Sequence, residues 1–224
     1  MQIKKIAVSV LGPPGSGKDT QAALLAEFFG LFHFKTSAVL MEIFKKNEND
    51  PKIIIEKERY DKGELCTPDF VFGVVCEKTK EIAKKGKGII YSGSPRTEKE
   101  AENLTPVLEE IYGINNIFPI LLDVSDDDVI WRNTHRKMCQ KCSAPVIYTE
   151  KTKDIKVCPV CGGDLIKRDL DDANMIRQRL KVFRRDTGPV VDYYKNRSML
   201  YDVDGRPAVD EIFENIKNII LNAE

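Results

Sequence analysis

The chain has no charge imbalance. It carries 35 Lys and Arg against 35 Asp and Glu in 224 residues, a formal net charge of zero. Surfaces built for nucleic acid are basic overall or carry a basic stripe. Neither dominates here, so nucleic acid is not an expected partner. No apolar run approaches the roughly 18 residues that cross a membrane, so no membrane partner is expected either. The opening "MQIKKIAVSVLGPPG" sets two lysines before an apolar run. That run is short, leads into Pro-Pro-Gly and has no small-residue cleavage site, so it reads as a buried strand rather than a leader. Repeats, linkers and low-complexity tracts are missing, which leaves one domain with room for insertions. Histidine is scarce: His33 and His135 are the two. Neither is well placed for proton transfer, and both read as incidental. A disulfide framework is also missing. Four of the six cysteines stand in two tight pairs, which points to metal binding in a reducing, cytoplasmic setting. Cys66 and Cys76 read as small semi-apolar residues.

What is present is an alternation of strand and helix. "KKIAVSVL" (4–11) is a continuous β-branched apolar run, and "DTQAALLAEFFG" (19–30) has apolar residues three and four apart, closed by Gly30. Helical spacing continues over 36–47, 50–64 and 67–86, the last with Thr67 and Pro68 suited to its first turn. Short buried strands are expected at 88–95, 118–126 and 199–205. Helices are expected at 97–113, 126–138, 171–197 and 207–224, the third bending or breaking near Gly188-Pro189. The fold class is therefore α/β: a mostly parallel sheet covered by helices on both faces.

"GPPGSGKDT" (12–20) lies between the first strand and the first helix. A glycine loop in that setting points backbone N–H groups at an anion, and the helix dipole adds to the attraction. Gly12, Gly15 and Gly17 permit close backbone approach, and Lys18 can reach outer phosphates. The strict pattern has Ser or Thr directly after the lysine. Here Asp19 stands there and Thr20 follows, so Mg²⁺ would be held by Thr20, by water, or with help from Asp19.

"MCQKCSAPVIYTEKTKDIKVCPVCGG" (138–163) holds Cys139, Cys142, Cys158 and Cys161, with fifteen residues between the pairs. Two Cys-x-x-Cys pairs at this distance suit a tetrahedral four-thiolate site, zinc before iron. Redox Cys-x-x-Cys motifs come singly near the start of a thioredoxin-like unit, which disfavours that reading. Four cysteine ligands leave no open position for chemistry, so the ion would be structural. A nucleic-acid ribbon has poor footing: Lys151, Lys153 and Lys156 are offset by Glu150 and Asp154, and Tyr148 is the module's sole aromatic.

With these motifs in order, the chain resembles the nucleoside monophosphate kinases of the adenylate kinase family, in the long form with a zinc-bearing lid. "GPPGSGKDTQA" resembles its P-loop, "SGSPRT" (92–97) its Asp-Gly-Phe-Pro-Arg-Thr strand end, and "WRNTHRKMCQKC" (131–142) its lid entry. "RDLDDANMIRQRL" (168–180) resembles its lid exit, and "YDVDGRP" (201–207) its last strand and the loop beside the ATP base. The resemblance implies a P-loop core with a helical acceptor-binding insertion at 36–68 and a zinc lid at 137–167. It implies transfer of the γ-phosphoryl group of Mg·ATP to a nucleoside monophosphate by a monomer. Lys18, Arg96, Arg132, Arg136, Arg168 and Arg179 match the family's cationic cluster, and no general base is required. On the ATP side the match covers Gly12, Pro13, Pro14, Gly15, Ser16, Gly17, Lys18, Asp19 and Thr20, with Arg132, Arg136, Tyr148 and Arg206. On the acceptor side it covers Thr36, Met41, Glu64, Leu65, Cys66, Gly93, Ser94, Pro95, Arg96, Glu100, Arg168 and Arg179. Closure of the lid would bring Arg136 and Arg168 over the phosphates and expel water.

Four positions depart from the family pattern. Asp19 replaces a glycine, and Ser92 replaces the aspartate that supports Mg²⁺ and its waters. Met41 replaces the arginine that holds the acceptor phosphate, leaving Lys45, Lys46 or Arg59 to reach in, or Arg96 and Arg179 to suffice. Glu100 replaces the glutamine that pairs with adenine. A carboxylate accepts and does not donate, which suits the two donors of guanine, unless Glu100 is a solvated charge in "TEKEAE". AMP is the expected acceptor, with GMP or another donor-rich base as the alternative. An inert relative or a zinc-ribbon interaction protein are the non-enzyme readings.

Overall fold

The computed structural model describes residues 5–142, 144–148, 152–167 and 171–223. Among them β1 (Ala7–Leu11) leads through the glycine loop into α1 (Lys18–Phe29), followed by β2 (Phe32–Lys35), α2 (Thr36–Lys46), α3 (Pro51–Asp61) and α4 (Pro68–Lys84). Then come β3 (Ile89–Ser92), α5 (Glu98–Tyr112), β4 (Ile117–Asp123) and α6 (Asp126–His135). Three short strands follow, β5 (Lys137–Cys139), β6 (Pro145–Val146) and β7 (Leu165–Ile166). The chain closes with α7 (Ala173–Val182), α8 (Gly188–Asn196), β8 (Tyr201–Asp204) and α9 (Val209–Asn222).

Five strands form one parallel sheet in the order β2-β3-β1-β4-β8. Alternate side chains divide its two faces. Val8, Val10 and Ile90 pack under α1 and α9 against Ala22, Leu25, Ile212 and Ile216. Ala7, Ile89 and Tyr91 pack under α4 and α5 against Val75, Leu104 and Leu108. The strands are apolar almost throughout because both faces are covered, as parallel sheets require. β5, β6 and β7 form a separate antiparallel sheet in the order β6-β5-β7.

The helix starts carry local signals. Asp50, Ser125 and Asp172 accept backbone N–H bonds at the first turns of α3, α6 and α7. Gly30 ends α1 in the left-handed conformation at φ 68°, which glycine adopts without a side-chain clash.

Two expectations need correction. β2 was not foreseen: "FHFK" has just one fully buried residue, and its place at the sheet edge beside β3 is a tertiary fact. The 171–197 helix breaks beside Gly188-Pro189, as expected. Phe183–Thr187 form a wide π-type turn, with the Gly188 N–H bonded to Phe183 O, and Gly188-Pro189 then open α8. Such turns often re-aim side chains. Here the Thr187 hydroxyl donates to Arg96 O at 2.9 Å. The helix expected to 138 ends at His135, because Lys137–Cys139 pair into the small sheet.

Candidate active site

The glycine loop sits at the carboxyl end of β1, where the central strands of an open parallel sheet leave a crevice. Gly12, Gly15 and Gly17 have φ of 148°, 82° and 95°. The loop closes on itself through the Ser16 N–H to Pro13 O at 3.1 Å. Lys18 Nζ donates to Pro13 O at 3.2 Å, which curls the side chain back over the loop. Burial, with Arg96, Arg179 and Arg136 nearby, brings the Lys18 ammonium down to about 8, against the pull of Asp19.

Lys18, Arg96 and Arg179 line one cleft of about 90 Å³, with Gly12, Gly93, Leu65 and Thr187. Arg96 is held by its own loop: Nε donates to Gly93 O at 2.9 Å. Gly93, at φ 106°, leaves the space that the guanidinium occupies, since a Cβ there would lie 2.9 Å from Arg96 Nη2. Thr36 and Ser94 share a buried hydroxyl bond of 3.0 Å beside it. Arg136 is bound bidentately by Asp171, with Nη2–Oδ1 at 2.6 Å, and Arg179 stands 4.0 Å from the same carboxylate. Asp171 is buried and so gathers two cations at one point; sequence reasoning missed it. Arg168 lies outside the described residues.

A second, larger cavity of about 710 Å³ opens on the other side of the loop. Gly15–Thr20, Arg132, Arg136, Tyr148, Arg206 and Pro207 line it. Arg132 lies across its mouth, donating to Gly205 O at 2.8 Å and Arg206 O at 3.1 Å. Arg206 is itself paired with Asp204 at 2.7 Å. Tyr148 meets Trp131 and His135 edge-on, with ring centroids 5.5 and 5.3 Å away, while His135 stacks on Trp131 at 4.7 Å. This joins the small sheet's loop to α6.

Several readings change on contact with the geometry. His33 has a side-chain partner: its Nε2 lies 2.8 Å from Ser92 Oγ. Burial and Lys35 hold this imidazole down to about 4, despite Asp19, so it is neutral near pH 7. Burial pushes the Asp19 carboxyl up, but Lys18, Ser92, His33 and Arg96 together outweigh it and hold it below the usual range. Glu100 is not a solvated charge; it is 3% exposed. It accepts from Arg96 N at 3.0 Å and from the Thr97 hydroxyl at 3.3 Å, while its own N–H donates to Thr97 Oγ1. This is a variant of the capping box in which Glu100 reaches back to the N–H before the cap residue, and "TEKE" carried its signature. Burial raises the Glu100 pKa, partly offset by these bonds to Arg96 and Thr97.

Met41 is half exposed on α2 and lines neither cavity. Of the cations expected to replace it, Lys46 pairs with Glu42 at 2.6 Å and Arg59 Nε holds Leu65 O at 3.1 Å. Leu65 reaches the cleft, Glu64 is exposed, and Cys66 is buried with Sγ 3.6 Å from Glu56 O.

The four paired cysteines come together. Their Sγ atoms all lie within 4.8 Å of one another, with Cys139–Cys161 at 3.4 Å and Cys142–Cys158 at 3.7 Å. A tetrahedral ion with 2.3 Å bonds to sulfur needs S···S separations of about 3.8 Å. The Cys142 and Val160 N–H groups point at Cys139 and Cys158 Sγ, 3.4 Å each, as donors to thiolates. A Cβ on Gly163 would lie 3.1 Å from Cys139 Sγ. The donor set fits zinc.

Fold and site together define a P-loop phosphotransferase: parallel sheet, glycine loop on a helix start, and converging cations without a histidine base. The adenylate kinase family model matches residues 10–199. An adenylate kinase of Archaeoglobus fulgidus is 36% identical over 213 residues, covering 94% of this chain and 95% of the other. Those of Caldanaerobacter subterraneus subsp. tengcongensis and Clostridium tetani are 37% and 35% identical, covering 96% and 95% of this chain and 96% and 97% of their own. The chain belongs to the adenylate kinase family and is, in class, a nucleoside monophosphate kinase.

Proposed function

We propose that the protein transfers the γ-phosphoryl group of Mg·ATP to AMP, giving two ADP. The observation that carries this reading is the convergence of Lys18, Arg96 and Arg179 on one cleft between the glycine loop and the Gly93 loop. ATP takes the 710 Å³ cavity, its phosphates on the N–H groups of the loop and its base near Arg132, Arg206 and Tyr148. The acceptor enters from the 36–68 insertion, with Thr36, Leu65 and Gly93 around it and its phosphate on Arg96 and Arg179. Phosphoryl transfer passes through a loose transition state whose charge sits on the equatorial oxygens. Planar arginines bind such oxygens bidentately and remain charged, and Lys18 supplies a point charge. The 137–167 segment is the lid. Zinc on its four cysteines makes it rigid and supplies no reaction chemistry. Reduced thiols and the family likeness support a cytoplasmic monomer.

AMP is preferred over GMP because Glu100 is buried, accepts from its own helix cap and lines neither cavity, which keeps it from the guanine donors. A coupled assay with AMP, GMP, CMP, UMP and dTMP checks this. AMP is expected to lead by at least about 100-fold, a margin set by matched against mismatched hydrogen bonds. A lead by GMP would return Glu100 to the base, and silence with all five would overturn the enzyme reading.

Mg²⁺ arrives with ATP as substrate. Thr20 and Asp19 at the loop mouth are the residues suited to it, with Ser92 and His33 backing Asp19. Asp19→Gly is expected to raise the Mg²⁺ concentration giving half-maximal rate about tenfold, the scale of an outer-sphere metal contact. Ser92→Asp in that background is expected to reverse the change. An unaltered Mg²⁺ dependence would remove Asp19 from this role.

A further inference from the structure

Asn133 stands on α6 between Arg132 and Arg136 and is 1% exposed. Asparagine is a weak helix former, and its side chain competes for backbone bonds. For packing alone, an apolar residue would serve better at a buried helical position. The side chain instead reaches out of its helix: Nδ2 donates to Pro14 O at 3.0 Å in the glycine loop and to Val129 O at 2.7 Å in α6. The loop is shaped around this amide. A Cβ on Gly15 would lie 2.0 Å from Asn133 Nδ2 and 2.8 Å from its Cγ. Gly15 therefore serves the seating of Asn133 as well as its own φ of 82°. Ser16 Oγ and Asn133 Oδ1 are buried beside this contact with no hydrogen-bond partner among the described residues.

We propose that Asn133 is a positioning residue that pins the glycine loop to α6. The N–H cradle and the α6 arginines then meet the donor phosphates as one preassembled surface. Pre-organisation of this kind lowers the ordering cost of binding. The proposal rests on the 710 Å³ cavity being the donor site. Its effect falls on the donor, because Asn133 touches the loop and α6, and it lines the donor cavity but not the Arg96–Arg179 cleft.

Asn133→Leu keeps the branched outline and removes the donor; Asn133→Ala removes both. Each is expected to weaken Mg·ATP binding, measured by calorimetry, about tenfold, the worth of one lost hydrogen bond. The acceptor KM should stay within about twofold, since no acceptor-side contact changes. Gly15→Ala adds a test that bulk destabilisation would not mimic. Alone it should weaken ATP binding about 100-fold, through clash and strain, and adding Asn133→Ala should recover about tenfold of that. If Gly15→Ala is equally damaging in both backgrounds, or if ATP and acceptor affinities fall together, the proposal is overturned. Loss of the kinase reading would show differently, as wild-type protein that transfers no phosphoryl group.

Discussion

Lys18→Met is expected to yield a protein that is more stable than wild type when empty, yet nearly inactive. The Lys18 ammonium stands at about 8 in the folded chain against 10.5 for a free side chain. Burial is the main cause, with Arg96, Arg179 and Arg136 adding to it. Below pH 8 the folded protein holds a charge that would be better solvated in the unfolded chain. Between pH 8 and 10.5 the unfolded chain binds more protons than the folded one, so stability rises with pH across that window. Methionine removes the penalty. Because the side chain is part-exposed, solvent screening reduces the gain to about 1–2 kcal/mol at pH 7. Triphosphate binding runs the other way, because the charge that costs stability is the one the phosphates need. Affinity for ATP should weaken in wild type as pH passes 8, and this dependence should vanish in Lys18→Met. The transfer rate should fall about 10²–10³-fold or more, as when one oxyanion donor is lost. Thermal melts from pH 7 to 10.5, paired with initial rates, check both halves. A variant that melts below wild type at pH 7 would contradict the electrostatic account.

Stripping the zinc that the four cysteines are suited to hold is expected to melt the 137–167 segment while the five-stranded core stays folded. The described part of this segment buries little: Cys139, Cys158 and Val146 are its fully buried apolar residues, and its strands are two or three residues long. Such a sheet has too little apolar burial to order its backbone. Zinc bound by four thiolates contributes about 10–16 kcal/mol in small finger peptides, enough to fold them outright. The core clusters of the main sheet contain no residue of this segment. Chelation or Cys142→Ser should therefore remove hydrogen-exchange protection from 137–167 and leave β1, β3 and β4 protected. Trp131, the sole tryptophan, stacks on His135 and meets Tyr148, so its fluorescence should report the loss. On the lid role proposed for this segment, transfer should slow by about 10–100-fold, as water would then reach the donor phosphates. Full protection of 137–167 in metal-free protein would show that packing, not metal, holds the segment.

Much of the site was legible in the order of residues. A β-branched run, three spaced glycines, a lysine and an amphipathic helix have one physical reading, because each acts over a few residues. The same holds for four cysteines in two pairs, and for Arg132 and Arg136 one helical turn apart. The capping box at Thr97 and Glu100 was equally local, but a charged context disguised it. Asn133, Asp171 and His33 were not legible. Each takes its meaning from a partner far away in sequence: Pro14, Arg136 and Ser92.

By itself the sequence determined the α/β alternation, the anion cradle, the four-thiol site and the kinase class. The first three follow from short-range periodicity, backbone freedom and ligand spacing; the kinase class followed from the resemblance of the ordered motifs to a known family. Tertiary structure alone decided that β2 pairs with β3 at the sheet edge, that Phe183–Thr187 widen to bring Thr187 against Arg96, and that Asn133 fills the space Gly15 leaves open. The physical reason is common to all three. Burial and hydrogen-bond satisfaction at these points depend on which distant residues arrive, and packing settles that over the whole chain at once.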